Sequence, residues 1–443
     1  MPAKVVVEND CIFYLKRCQA HGVQKTLISD DVGYWKATKD WLKPGDRPLA
    51  AQTRTEHGCP YDCGLCPDHE QHSCLAIIEV TDACNLTCPV CFAESSIKRQ
   101  THRPLAEIER MLDLLVASEG EPDLVQFSGG EPTVHPQFFE ILTAARQRPI
   151  RHLMINTNGI RIAREAGFAE RLADFMPRFE VYLQFDSLKP DALLNLRGAD
   201  LSRVRIEALE TLERLNISTT LVVTVKKGVN DAEIPDIVRF ALRWRCVRGV
   251  TFQPIQDAGR NAGFEAETHR VVLSEIRRRI AEAGVFALDD LIPLPCNPDQ
   301  ICIGYGLRKG QNVAPVTAML PRELFVAAAP NTVTFEAYPE LRKRVFDLLS
   351  LSTAQGDTSG KLAALLCCLP DAVVPQEVSY EQTFRVVISQ FLDRYNFDLG
   401  TVKRSCVHFV EPDGRIIPFD TYNTFYRAGA SGNAALKKGQ ELR

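Results

Sequence analysis

LAIIEVTDACNLTCPVCFAESS, residues 75–96, is the stretch on which the reading of this chain turns. Its first residues, Leu75–Val80, are apolar and partly β-branched, as a buried strand requires. Cys84, Cys88 and Cys91 follow at the strand's carboxyl end with the spacing C-x3-C-x2-C. Three thiolates can hold three irons of a 4Fe–4S cluster and leave the fourth iron open to a ligand, whereas a closed structural site supplies four. A three-cysteine zinc site is the plainer alternative.

Outward from that stretch the chain alternates. Leu124–Phe127, His152–Asn156, Glu180–Phe185, Thr219–Val225 and Gly249–Pro254 read as further strands. Helical stretches lie between them at Pro104–Ser118, Pro136–Arg146, Ile160–Phe175, Pro190–Leu215 and Ala232–Trp244. Proline at a helix's first turn costs nothing, which suits Pro104, Pro136 and Pro190. Six strands alternating with helices imply an α/β fold with a parallel sheet, and right-handed crossovers curl it into a partial (β/α)6 TIM-like barrel spanning 75–290. Chemistry in such barrels gathers at the carboxyl ends of the strands.

The second strand ends in Ser128-Gly129-Gly130-Glu131-Pro132-Thr133. Two glycines let the backbone approach a ligand closely, and Glu131 with the neighbouring carbonyls can receive a cationic amino group. Later strand ends add Asn156, Thr157 and Asn158, then Gln184 and Asp186, Lys226 and Asn230, and Gln253. Each of these either faces a ligand or caps the following helix.

Fifteen cysteines in 443 residues call for a specific cause. The start of the chain shows no signal-peptide hydrophobic region, which points to a reducing cytoplasm, where clustered cysteines bind metal. A net charge of −4 gives no basic footprint for nucleic acid, and no apolar run approaches a membrane span. Cys59, Cys63, Cys66 and Cys74 form a second cassette of four, a closed site for an auxiliary 4Fe–4S cluster or for structural zinc. His57, His69 and His72 flank it; they could replace a thiolate, but are expected at the surface. Cys74 precedes the first strand, so this site belongs toward the amino-terminal side of the barrel. Cys296 and Cys302, with one of Cys367 and Cys368 and with Cys406, would complete a third set; the plainer reading is buried thiols acting as small hydrophobes. Cys11, Cys18 and Cys246 stay unassigned. Residues 1–58 read as a small N-terminal module, 59–74 as the cassette, and 291–443 as a C-terminal domain with helices at 321–350 and 380–395 and a loop at 353–360.

Taken together, GCPYDCGLCPDHEQHSC (58–74), the C-x3-C-x2-C run, SGGEPTVHP (128–136) and SCVHFVEPDGRIIPFDTYN (405–423) resemble the radical S-adenosylmethionine (SAM) superfamily. Within it they are similar to the tetraether (membrane-spanning) lipid synthases, first catalogued as dihydropterin methyltransferase-like proteins. The likeness runs over most of residues 55–430. It implies SAM bound near Gly129, Gly130, Glu131, Pro132 and the polar strand ends, and three 4Fe–4S clusters. Cys84, Cys88 and Cys91 would hold the SAM cluster, Cys59, Cys63, Cys66 and Cys74 one auxiliary cluster, and the C-terminal cysteines the other. It also implies a ferredoxin- or flavodoxin-type electron donor, cleavage of SAM to a 5′-deoxyadenosyl radical, and hydrogen abstraction from an inert C–H bond. The substrate would be a lipid chain coupled through a new carbon–carbon bond, with peripheral membrane contact, or a small heterocycle such as a dihydropterin that is methylated. The apolar runs Val345–Leu351 and Leu362–Leu369 would line a lipid cavity or serve as ordinary core. A departure stands beside the likeness: archaeal members carry a rubredoxin-like iron site near the N-terminus, and here only Cys11 and Cys18 precede residue 59.

Overall fold

The strand beginning at Leu75 pairs on both sides, and the sheet grows outward from it. The computed structural model describes residues 3–19, 22–43, 45–261, 263–319, 322–328 and 382–427. Three strands, β1 (Ala3–Glu8), β2 (Cys11–Cys18) and β3 (Gly22–Ser29), form a separate antiparallel sheet. The main sheet contains β4 (Leu75–Thr81), β6 (Leu124–Gly129), β7 (His152–Thr157), β8 (Phe179–Gln184), β9 (Thr219–Val225) and β10 (Val247–Pro254). Two short strands, β5 (Val90–Cys91) and β11 (Arg260–Asn261), pair only with each other. All six expected strands are present, and neighbours pair in parallel. The sequence TTLVVTV of β9 is buried on both faces, as parallel strands covered by helices must be. On the outside, Ile108, Met111, Leu112 and Leu115 form the buried stripe of helix Leu105–Glu119.

The described residues after 290 add strands to the main sheet. These are β12 (Ile292–Pro293), β13 (Ile301–Lys309), β14 (Asn312–Pro315), β15 (Thr383–Ser389), β16 (Val407–Val410) and β17 (Ile416–Pro418). β15 pairs in parallel with β10, and β16 pairs in parallel with β4. The parallel run is therefore β15-β10-β9-β8-β7-β6-β4-β16, two strands more than the sequence pattern gives. The helix expected over 380–395 is the strand β15. Its run TFRVVIS is buried on both faces, and periodicity cannot separate such a strand from a buried helix. Two long helical stretches are broken, at Gly167 and at Gly198, both with positive φ. Cys367, Cys368, the runs Val345–Leu351 and Leu362–Leu369, and the loop 353–360 lie outside the described residues. No helix among the described residues is long and apolar enough to cross a membrane.

Curvature is visible in contacts across the concave face. Gln253 on β10 donates to the Tyr182 hydroxyl on β8 at 3.2 Å, over the intervening β9. Arg385 on β15 reaches Glu180 on β8 at 2.9 Å, across two strands. In a flat sheet these backbones would stand roughly 14 Å apart. Gly249 makes the crossing possible: a Cβ there would sit 2.5 Å from the Arg385 carbonyl and 2.7 Å from its Cγ. The pair is buried, and with Thr220 and His152 it floors the barrel with charge. Burial pushes the Glu180 carboxyl up, but Arg385 and His152 outweigh it and hold it below the usual carboxylate range. The pair's contribution is therefore complete at neutral pH and is lost as pH falls through that depressed value. Arg385→Met would leave the buried Glu180 charge with only Thr220 and His152 against it, at a cost of about 3–5 kcal/mol. The urea midpoint should drop accordingly at pH 7, and the difference from the parent chain should shrink in acid.

Candidate active site and thiol clusters

Thr81 ends β4 and sets the cysteine loop over the barrel mouth. Its hydroxyl accepts the Ala83 N–H at 3.0 Å, and its carbonyl accepts the Gly130 N–H at 2.8 Å. The Ala83 carbonyl accepts the Glu131 N–H at 2.9 Å. Neither glycine tolerates a side chain, since a Cβ would meet Thr81 O at 2.2 Å from Gly129 and Ala83 O at 2.1 Å from Gly130. The cysteine loop and the Gly-Gly turn are thus zipped backbone to backbone.

On its other side the loop is held by a residue the sequence reading passed over. Arg260 donates to the carbonyls of Cys88 and Ser95, both at 2.6 Å, and β11 pairs with Cys91 itself. Gly259 permits this approach, because a Cβ there would stand 2.4–2.5 Å from the Phe92 and Cys91 carbonyls. Arg197 was also missed. It forms a bidentate pair with Asp186 at 2.6 Å, donates to Gln184 at 2.8 Å, and places its charge beside Cys88. Burial pushes the Cys84 thiol up to about 12 and raises Cys88 as well, against Arg197. Thiols so placed give up their protons on binding iron, and Arg197 supplies a compensating charge. No motif marks Arg197 or Arg260 in sequence, since each works through a partner distant along the chain.

One cavity at this mouth is lined by Cys84, Cys88, Cys91, Gly129, Gly130 and Glu131, and by Asn156, Asn158, Gln184 and Gln253. Ser128, Asn156, Gln184 and Arg197 form a hydrogen-bonded chain along its wall. Asn158 donates to Asn85 of the cysteine loop at 2.6 Å. The other expected residues take different roles. Glu131 is buried, and its carboxylate accepts four hydrogen bonds, from Thr133 N and Oγ1, Thr157 Oγ1 and Asn158 N. Burial pushes its carboxyl up, and those donors hold the charge. Its carboxylate ties the end of β6 to the end of β7. Asp186 is committed to Arg197 and lies nearby but off the lining. Asn230 is fully buried and spends its amide on Asp186 O, Thr224 O and Lys226 N, a turn-holding role. The Lys226 ammonium pairs with Asn195 outside the cavity, and Pro132 starts a short 3-10 turn.

The auxiliary cysteines regroup. Cys59, Cys63 and Cys66 stay together: Cys59 and Cys63 are hydrogen-bonded and Cys66 acts on Cys63. Their loop docks on the C-terminal stretch, with Cys63 Sγ 2.8 Å from Thr421 Oγ1 and its N–H donated to Tyr426 at 3.0 Å. Cys74 leaves that set and joins Cys296 and Cys406, all three buried with their sulfurs within 4.8 Å of one another. The reason is strand register: Cys74 and Cys406 immediately precede β4 and β16, which pair with Leu75 opposite Val407. Both therefore lie at the amino end of the sheet, about 23 Å of strand away from Cys84. Cys302 does not join them. It sits inside β13 with Tyr34 as its hydrogen-bond partner. His69 and His72, expected at the surface, are drawn inward: His69 is buried against His408 and Ser405, and His72 lies against Cys74 and Glu119.

Comparison with known proteins agrees with this geometry. The radical SAM superfamily profile matches residues 78–241. Residues 78–241 carry a radical SAM domain. Its cofactors are accordingly SAM and a [4Fe–4S] cluster, which the three thiols, the Gly129–Gly130 cradle and the Arg197 charge fit. A second profile, the HMPTM N-terminal zinc ribbon domain, matches residues 1–30. There this radical SAM protein keeps a three-stranded sheet, but Cys11 and Cys18 stand at opposite ends of β2, about 23 Å apart, too far to share an ion. Among curated relatives it is 29% identical to a 7,8-dihydro-6-hydroxymethylpterin dimethyltransferase of Methanocaldococcus jannaschii, over 96% of this chain and 91% of that one. It is 32% identical to a GTP 3′,8-cyclase of Alkaliphilus oremlandii, over 41% of this chain and 57% of the cyclase. Among solved structures it is similar to Streptococcus suis SuiB bound to SAM (TM-score 0.41, 18% identity, 48% of this chain and 47% of that chain). Gly130→Ala tests the zipped loop: the added methyl should push Ala83 away, retain the cluster's iron, and slow reductive SAM cleavage by about 100-fold, read as 5′-deoxyadenosine formation.

Proposed function

We propose that this radical SAM enzyme modifies an unactivated carbon of a small nitrogen heterocycle of the dihydropterin kind, by methyl transfer. The observation that carries the reading is Gln126. It lies on β6 two residues before Ser128, is 5% exposed, and lines the cavity, yet its Oε1 has no hydrogen-bond partner among the described residues. Leaving such a carbonyl unsatisfied costs about 1–3 kcal/mol. A ring N–H of a substrate is the partner that would relieve it. Tyr182 and Gln253 offer further neutral polar groups on the same side. The opposite side is apolar, with Ile77, Phe92, Phe391, Phe409 and Phe419, against which a flat ring can stack. The Methanocaldococcus relative, named for a dihydropterin, supports this choice.

When bound, the cluster and SAM supply one-electron chemistry that yields a carbon radical able to take hydrogen from an inert C–H bond. The protein's own residues do the rest. Arg260 and the Gly129–Gly130 turn fix the loop, and Arg197 balances thiolate charge. Glu79, paired with Arg427 at 2.7 Å, borders the cavity beside the apolar wall.

A second reading, coupling of lipid chains through a carbon–carbon bond, rests on that same apolar wall, which Leu75 and Val407 extend. Against it, the Glu180–Arg385 pair sets buried charge in the barrel floor, unfavourable surroundings for a long apolar chain. One experiment separates the two. The anaerobically reconstituted enzyme receives SAM and reductant with either deuterated 6-hydroxymethyl-7,8-dihydropterin or lipids with deuterated chains, and the 5′-deoxyadenosine is weighed. Deuterium from the pterin, with S-adenosylhomocysteine as by-product, is the expected outcome; deuterium from the lipid alone selects chain coupling. Gln126→Leu should raise the pterin KM roughly 10-fold and leave substrate-free SAM cleavage unchanged.

A further inference from the structure

At the amino end of the sheet, opposite the SAM face, three thiols from distant parts of the chain converge. Cys74, Cys296 and Cys406 are the one group of three His, Cys, Asp or Glu side chains among the described residues whose donor atoms all lie within 4.8 Å of one another. Cys296 and Cys406 stand 3.4 Å apart. A tetrahedral ion with metal–sulfur bonds of about 2.3 Å holds its thiolates about 3.8 Å apart. A cubane takes one thiolate at each of its separate corners and spreads them wider. The molecule carries its own comparison: Cys84, Cys88 and Cys91, which serve a cubane, do not meet the same limit, nor do Cys59, Cys63 and Cys66.

The fourth donor is at hand. His72 Nε2 lies 3.6 Å from Cys74 Sγ, close to the sulfur–nitrogen edge of such a tetrahedron, about 3.6 Å. Its other nitrogen, Nδ1, is 3.1 Å from Glu119 Oε2. A carboxylate behind one ring nitrogen, with the other beside the Cys74 thiol and 4.0 Å from Asp123 Oδ2, is the arrangement that orients a metal-ligating histidine. Nε2 is beyond 4.8 Å from at least one of the other two sulfurs, so a bound ion would draw the imidazole inward. Lys43 adds a cation at the site. It is buried, and its ammonium acts on both Cys74 and Cys296. A divalent ion with three thiolates and a neutral imidazole carries one negative charge, and Lys43, which also pairs with Asp46, sets a cation beside it.

We infer that Cys74, Cys296, Cys406 and His72 form a mononuclear zinc centre, not a further iron–sulfur cluster. Thiolate and imidazole donors in a tetrahedron suit Zn2+, and four protein ligands leave no open position, so the centre is structural. It fastens the segment before β4 and the segment before β16 to the loop at Cys296, and so holds the two strands in register. The inference is independent of what the SAM face acts on.

The test uses the full chain purified anaerobically from zinc-supplemented medium without iron reconstitution, with metal analysis and zinc K-edge X-ray absorption. The expected result is about one zinc per chain, with three sulfurs at about 2.3 Å and one nitrogen at about 2.0 Å. Glu119→Gln should weaken zinc retention against a chelator by roughly 10–100-fold. His72→Cys should keep the zinc and convert the shell to four sulfurs, a readout that survives even if His72→Ala does not fold. Absence of zinc, or a four-sulfur shell in the parent chain that His72→Cys leaves unchanged, overturns the inference.

Discussion

Parallel pairing of β4 with β6 on one flank and β16 on the other fixes both chemical ends of this molecule. The β6 register brings Gly129 against Thr81, so the Gly-Gly turn and the cysteine loop share backbone hydrogen bonds at the carboxyl end. The β16 register brings Val407 against Leu75, so the residues just before each strand, Cys406 and Cys74, meet at the amino end. A slip of one residue in either pairing would turn the inward row of β4, which includes Ile77 and Glu79, toward the outer helices. The two thiol centres are therefore consequences of one strand's hydrogen-bond ladder.

Charge burial follows the same geometry. Thiolates taken out of water need compensation, and each end receives a buried cation: Arg197 at the SAM face, Lys43 at the amino end. The barrel floor adds Arg385 against Glu180. Such pairs add little stability over an apolar core of equal volume, but breaking one is costly, so they enforce a single arrangement. Between floor and mouth, the cavity has an amide and hydroxyl side formed by Gln126, Asn156, Gln184 and Gln253, and an aromatic side formed by Phe391, Phe409 and Phe419. The stacked rings of Phe391 and Phe419, 3.8 Å between centroids, belong to the apolar cluster that contains Cys63. The second thiol loop is thus packed directly behind the wall of the reaction cavity.

The sequence made the cluster loop, the Gly-Gly turn and all six core strands legible, because each depends on local spacing: three cysteines within eight residues, two adjacent glycines, and runs of β-branched residues. Reading failed where the role of a residue depends on what faces it. Asn230 and Asp186 look like ligand contacts at strand ends, yet their hydrogen bonds are consumed by turns and by Arg197. Glu131 looks like a receptor for a cation, and its carboxylate ties two strand ends together. The run at 383–389 looks helical because a strand buried on both faces loses the alternation that would mark it.

By itself, then, the sequence determined the radical SAM domain, the C-x3-C-x2-C loop and the parallel α/β plan, since all of these are written in contacts between near neighbours. Only the tertiary structure decided which cysteines share a centre. Cys74 is eight residues from Cys66 but partners Cys296 and Cys406, because sulfur positions are set by strand register and not by distance along the chain. It likewise decided that Arg260 clamps the cluster loop, that Arg385 floors the barrel, and that the Gln126 Oε1 has no partner among the described residues. Each of those facts arises when the sheet curls and brings side chains from separate strands across one concave face.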